Sequence, residues 1–155
     1  MTDLKQYKAK RNFKKSGEPE AKIKKSDGKK LIFVIHEHWA TNHHFDLRLE
    51  MNGVLKSWAV PKSPEEVNDE KTKRLAIEVE DHPIEYANFH GEIKEGYGKG
   101  SVKIWDSGNY QLKFKDSKMI EVILHGKKLK GNYVLVKTKY GNKPDKSWLF
   151  MRVKK

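Results

Sequence analysis

HFDLRLEMNGVLKSWAV (44–60) decides the fold class. Its first half alternates without a break. His44, Asp46, Arg48 and Glu50 fall on one face, and Phe45, Leu47, Leu49 and Met51 on the other. Successive side chains on a strand point to opposite sides, so strict alternation predicts a strand with one apolar face. Asn52-Gly53 joins it to VLKSWAV (54–60). Asn-Gly between two such runs predicts a tight hairpin, because both residues tolerate positive φ. Pro61 and Pro64 end the second strand.

Further runs rich in β-branched and aromatic residues lie outward from this hairpin, at 31–38, 73–80, 101–108, 109–114, 119–126, 132–139 and 147–153. Turn residues such as Asp106-Ser107-Gly108, His125-Gly126 and Gly141-Asn142 separate several of them. Short strands at this spacing predict an all-β, mainly antiparallel sandwich or barrel. No long amphipathic helix is visible, and 65–72 reads as a helical turn or a loop. Residues 1–30, with Gly17, Pro19, Gly28 and many lysines, read as a basic arm expected to be flexible. Residues 31–155 read as a single domain.

The 155 residues are 36% apolar and 35% charged, with a formal net charge of +12. That is enough apolar content for one core and too much for a wholly disordered chain. There is no cysteine, which excludes disulfides, thiol nucleophiles and Cys-ligated zinc. No apolar run approaches the roughly 18 residues of a membrane span. Residues 1–15 lack the apolar core of a signal peptide. The expectation is a soluble, cytoplasmic monomer. The charge is uneven: +7 over 1–30, +9 over 126–155 and −4 between them. Basic ends suit a polyanion such as nucleic acid, because each phosphate contact releases condensed counterions. The acidic centre fits catalytic carboxylates or metal ligands.

Two clusters carry the candidate chemistry. HEHWATNHHFDLRLE (36–50) holds four of the seven histidines, followed by the Asp46-Arg48-Glu50 row. Imidazole with carboxylate is a ligand set for a divalent transition metal. His44 and Asp46, two apart on a strand, can converge on one ion, and His38 can add a third ligand across a short loop. A guanidinium beside such a metal would hold and polarise a phosphate. The same row also reads as surface ion pairs among Asp46, Arg48 and Glu50. The second cluster, RLAIEVEDHPIEYANFHGEI (74–93), offers Arg74, Glu80, His82 and Tyr86. Each is a phosphate-site candidate or a hydrogen-bonded structural residue. EGYGKG (95–100) reads as a phosphate-cradling loop or a β-turn.

The runs HEHWATNHHFDLRLEMNGVLKSWAVPK (36–62) and RLAIEVEDHPIEYANFHG (74–91), with YKAKRNFKKSGEP (7–19) and LHGKKLKGNYVLVK (124–137), resemble a known family. It is the 3′-phosphoesterase domain of bacterial DNA ligase D, with its stand-alone archaeal and bacterial relatives. The resemblance implies a compact β-barrel and a Mn²⁺-dependent end-healing activity. That activity removes 3′-terminal ribonucleosides and then 3′-phosphates from DNA or DNA/RNA primer-template ends, leaving a ligatable 3′-OH for break repair. It implies His38, His44 and Asp46 as metal ligands. It implies Arg48, Lys62, Arg74 and His82 as the phosphate-contacting set with Tyr86 beside them, Arg11 and Glu18 in substrate engagement, and Glu50 and Glu80 in support. It also implies a separate ligase and polymerase or Ku-type repair proteins in trans. The chain departs from the family pattern at Asn12, where the arm usually has Asp, and in a glycine-rich loop one residue shorter. Two other readings remain: a non-catalytic nucleic-acid-binding barrel, and a module that recruits a ligase. Binding by the first would depend on salt and ignore chelator.

Overall fold

A computed structural model describes residues 4–9, 31–69, 71–94, 99–139, 143 and 145–153. The predicted alternation becomes a barrel. Nine strands form one antiparallel sheet: β1 (Leu31–Trp39), β2 (His43–Met51), β3 (Val54–Val60), β4 (Arg74–Pro83), β5 (Gly91–Ile93), β6 (Gly100–Lys115), β7 (Met119–His125), β8 (Lys130–Lys137) and β9 (Ser147–Arg152). They run in the order β1-β2-β3-β4-β9-β8-β7-β6-β5, and β1 also pairs with β6. That last pairing closes eight strands on themselves, with β5 as an extra strand on β6. Closure leaves eight strands no free edge, and a barrel of this size has an interior that side chains fill.

The inward-facing set is the apolar half of the alternation. Phe45, Leu47, Leu49 and Met51 of β2 meet Phe33, Ile35, Trp58, Tyr133, Trp148 and Phe150 in one buried core. The Asn52-Gly53 hairpin is as predicted. Met51 pairs directly with Val54, and the two turn residues have φ of 53° and 82°.

Residues 101–108 and 109–114, read as two strands split by a turn, are the single strand β6. Asp106-Ser107-Gly108 makes no turn, because each residue is held within the ladder. The buried Asp106 carboxylate accepts the backbone N–H groups of Ser107, Lys127, Lys128 and Leu129 at 2.8–3.1 Å. A Cβ on Gly108 would lie 2.2 Å from the His125 carbonyl oxygen, so this glycine serves close strand packing. Asp106→Ala strands these N–H groups and is expected to cost about 2–4 kcal/mol, read as a lowered urea midpoint at unchanged slope.

A second layer covers the outer face of the first four strands. Helix α1 (Lys5–Ala9) and the 3₁₀ turn Ile84–Asn88 pack there, and Leu4, Tyr7, Tyr86 and Ala87 join Val34, Val54 and Leu55 in a separate buried cluster. The sequence reading did not anticipate α1 at the head of the arm. The 3₁₀ turn Pro64–Asp69 overlaps the expected helical turn. Arg11 and Glu18, and the glycine-rich stretch 95–98, lie outside the described residues. No helix among the described residues is long and apolar enough to cross a membrane.

Candidate active site

The polar half of β2 is not a solvated face. Asp46 and Arg48 are buried, as are His36 and His38 on β1 and His82 on β4. Register brings them together, since cross-strand partners share a face. His36 sits opposite Asp46, and His38 opposite His44. His82 needs an irregularity. Val79 opposes Ser57 and His82 opposes Leu55, so β4 spends one residue more than β3. Regular pairing would put Asp81 opposite Leu55 and turn His82 into the barrel. The bulge re-aims His82 to the outer face.

All of these buried residues but His36 line a pocket of about 420 Å³, which His44, Glu80 and Tyr86 also wall. The β1–β2 turn residues 40–42 and Lys99 complete the rim. Lys62 and Arg74 are not in the wall. Lys62 is exposed, and Arg74 Nε–H donates to the Ser63 carbonyl at 2.8 Å, which places both at the turn after β3. Glu50 also stands apart. Its Oε1 accepts the Ile32 N–H at 3.0 Å and its carbonyl accepts the Tyr110 hydroxyl at 2.6 Å, so it ties strands.

Asp46 Oδ2 is the point of convergence. His44 Nε2 lies 3.3 Å from it, His38 Nδ1 3.7 Å and Arg48 Nη2 3.5 Å. Donor atoms of His38, His44 and Asp46 all lie within 4.8 Å of one another. This set fits a divalent transition ion: two imidazole nitrogens and one carboxylate oxygen facing an open pocket. His44 Nδ1–H donates to the Asn42 carbonyl at 2.9 Å, which fixes the ring and leaves Nε2 as the ligand atom.

Burial alone would raise the Asp46 pKa. The Arg48 charge and hydrogen bonds from His38 and His44 outweigh it and hold the carboxyl well below its usual range. His44 moves up from the imidazole value, because the Asp46 hydrogen bond outweighs burial. An ion must therefore displace a proton held more tightly than by free imidazole. Metal affinity is expected to be full above that raised pKa and to fall about tenfold per pH unit below it, read by metal titration at several pH values.

The four clustered histidines divide their roles. His36, absent from the candidates drawn from sequence, accepts Arg48 Nε–H at Nδ1 (3.1 Å), and its Nε2–H donates to the Phe89 carbonyl (2.9 Å). Burial, then the Arg48 charge, pushes its pKa down to about 3, so the ring stays neutral and aims the guanidinium. Its place two residues before His38 on one strand was the available signal. His82 Nδ1 sits 3.3 Å from Arg48 Nη1 and 3.0 Å from the Glu80 carbonyl. That nitrogen accepts from one or donates to the other, according to tautomer. Tyr86 lies under this group, with Arg48 over its ring at 4.9 Å and the rings of His36 and His82 at 5.5 and 4.6 Å.

Tyr7 of α1 closes the back of the site, its ring 5.0 Å from His82 and 6.1 Å from Tyr86. Fully buried, it is expected to cost about 3–5 kcal/mol as Tyr7→Ala, seen as a lower melting temperature. Tyr7→Phe keeps the ring contacts.

Comparison with known proteins gives the family. The DNA Ligase D 3′-phosphoesterase domain family matches residues 36–137. The multifunctional non-homologous end joining protein LigD of Mycolicibacterium smegmatis is 44% identical over 160 residues, covering 96% of this chain and 20% of that protein. LigD of Pseudomonas aeruginosa is 38% identical, covering 97% of the chain and 18% of that protein. LigD of Mycobacterium tuberculosis is 45% identical, covering 97% and 20%. The chain thus spans about a fifth of the length of these relatives. Over that span it carries the His38, His44, Asp46 and Arg48 row inside the matched region, and it belongs to the DNA ligase D 3′-phosphoesterase domain family.

Proposed function

We propose that this chain is a divalent-metal-dependent phosphoesterase acting on nucleic-acid 3′ ends. It removes 3′-terminal ribonucleosides and then 3′-phosphates to leave a 3′-OH. The observation that carries the reading is the buried convergence of His38, His44 and Asp46 on one point, with Arg48 fixed beside it. Family membership supports the reaction class.

His38, His44 and Asp46 would hold the ion. We assign Mn²⁺, because two imidazoles suit it better than the harder Mg²⁺. When bound, such an ion supplies Lewis-acid neutralisation of phosphoryl charge. The chain's own residues do the rest. Arg48 presents a guanidinium to the phosphoryl oxygens from a fixed mount, so little reorganisation accompanies reaction. His82, at the pocket wall with Nδ1 engaged, gives a proton to the departing ester oxygen. Tyr86 keeps both in register. Glu80 supports His82 through its backbone carbonyl. Lys62 and Arg74, at the turn after β3, are assigned to phosphates outside the pocket, and Arg11 and Glu18 to the arm's grip on substrate.

The substrate ends are those of DNA or DNA/RNA primer-templates at breaks, in the nucleoid. The 3′-OH produced is what a ligase requires, so ligase, polymerase and Ku-type proteins are the partners in trans. The relatives' names place them in non-homologous end joining. A primer ending in one ribonucleotide tests the activity on a sequencing gel. With Mn²⁺, the expected sequence is a 3′-phosphate product followed by a 3′-OH product. If neither forms with any divalent metal, the catalytic reading fails, which favours the binding barrel or the ligase-recruiting module.

A further inference from the structure

Lysine and arginine enter the pocket wall at Arg48 and Lys99. Arg48 is buried beside Asp46, whereas Lys99 is exposed at the mouth. Among the described residues, no ion pair takes the Lys99 ammonium. The backbone beside it sets its place. β6 pairs Val102 with His38 and Ser101 with Trp39, and β5 pairs Ile93 with Gly100. Gly100 has φ of 148°, and a Cβ there would run into the Trp39 carbonyl oxygen and come within 3.0 Å of the Ala40 Cα. Glycine is what lets the start of β6 lie this close on the β1–β2 turn. Lys99 is thereby held over that turn. It stands three residues from Val102, the partner of His38, so at most about 11 Å of chain separates them. Thr41 and Asn42, also exposed, line the same mouth.

We infer that Lys99, with Thr41 and Asn42, forms a second phosphate subsite that binds the phosphodiester next to the 3′-terminal phosphate. This rests on the phosphoesterase reading and adds how a strand end is told from an isolated phosphate. Asp46, Arg48 and His82 are buried in the wall, so the terminal phosphoryl group sits among them and the strand leaves through the mouth. A cavity of about 420 Å³ is of the size that encloses a whole small ligand, more than a single phosphoryl group needs. The next charge of the strand is one nucleotide back. At the mouth it meets an ammonium, a hydroxyl and an amide, side chains that take phosphate oxygens. Both phosphates lie on the outside of a duplex, so a paired primer-template end is gripped without opening a base pair. Lysine acts there as a point charge on a flexible stem. It does not touch the reacting phosphoryl group, so it binds substrate and transition state equally and acts on KM rather than kcat.

The test is steady-state phosphate release from a 3′-phosphorylated primer-template with Mn²⁺. Parent and Lys99→Gln are each given a primer with a normal last linkage and one with an uncharged methylphosphonate there. Lys99→Gln is expected to raise KM about 3- to 10-fold on the normal primer and to leave kcat within about twofold. The methylphosphonate is expected to raise the parent's KM by a similar factor and to change that of Lys99→Gln little, because each change removes one side of the same contact. The salt dependence of KM should be shallower by about one phosphate contact in Lys99→Gln. An unchanged KM in Lys99→Gln overturns the subsite. So does a loss that persists in full on the methylphosphonate primer, which would put the lysine on another group. If the parent releases no phosphate with any divalent metal, the phosphoesterase reading falls. The same proteins and primers are then compared by fluorescence anisotropy in chelator, where losses shared between the two changes keep the subsite and independent losses overturn it.

Discussion

Asp46→Asn is expected to reduce phosphate release from a 3′-phosphate end by at least about a thousandfold, because the charge neutralisation it removes is worth several kcal/mol in the transition state. The carboxylate does three things at once. It is the anionic member of the ligand set, it draws His44 Nε2 to 3.3 Å, and it faces Arg48 Nη2 at 3.5 Å. Asparagine keeps the shape and loses the charge, so metal titration should show binding lost together with activity. The variant also leaves the buried Arg48 without its carboxylate, which costs stability. A thermal melt taken beside the assay separates loss of the ligand from loss of the fold. Normal turnover by folded Asp46→Asn would remove the metal-site assignment.

Arg48→Lys should show the opposite pattern: metal binding kept and turnover reduced about 10²- to 10³-fold, the usual effect of removing one preorganised donor. The guanidinium touches four groups in fixed directions: His36 at 3.1 Å, His82 at 3.3 Å, Asp46 at 3.5 Å and the Tyr86 ring at 4.9 Å. An ammonium carries the same charge but cannot fork across these partners, and it leaves His36 Nδ1 without its donor. Equal loss of metal affinity and turnover would mean that Arg48 serves the ligand set rather than the phosphoryl group.

Much of this site could be read from β2. Unbroken alternation set its two faces, and Asn52-Gly53 fixed the register of the hairpin that carries Arg48 opposite Ser57. The candidate ligand set followed from that face, with His38 paired to His44. Features that depend on distant contacts were not legible. The bulge that aims His82 arises where β4 gains a residue on β3, and alternation along β4 alone gives no sign of it. Asp106 and Gly108 carry turn chemistry in sequence, yet one caps the backbone of 127–129 and the other admits the His125 carbonyl. Tyr7 lies in a lysine-rich segment without apolar periodicity, so its burial against His82 depends on a surface that only the folded barrel provides. His36 could have been found by extending the face of His38 back by one repeat.

The central claim is that one divalent ion at His38, His44 and Asp46 drives 3′-phosphate removal. Mn²⁺ titrated into chelator-stripped protein, with phosphate release from a 3′-phosphorylated primer-template as the readout, tests it most directly. The account predicts no turnover without metal and activity that saturates at one ion per chain. Turnover that persists in excess chelator would contradict it.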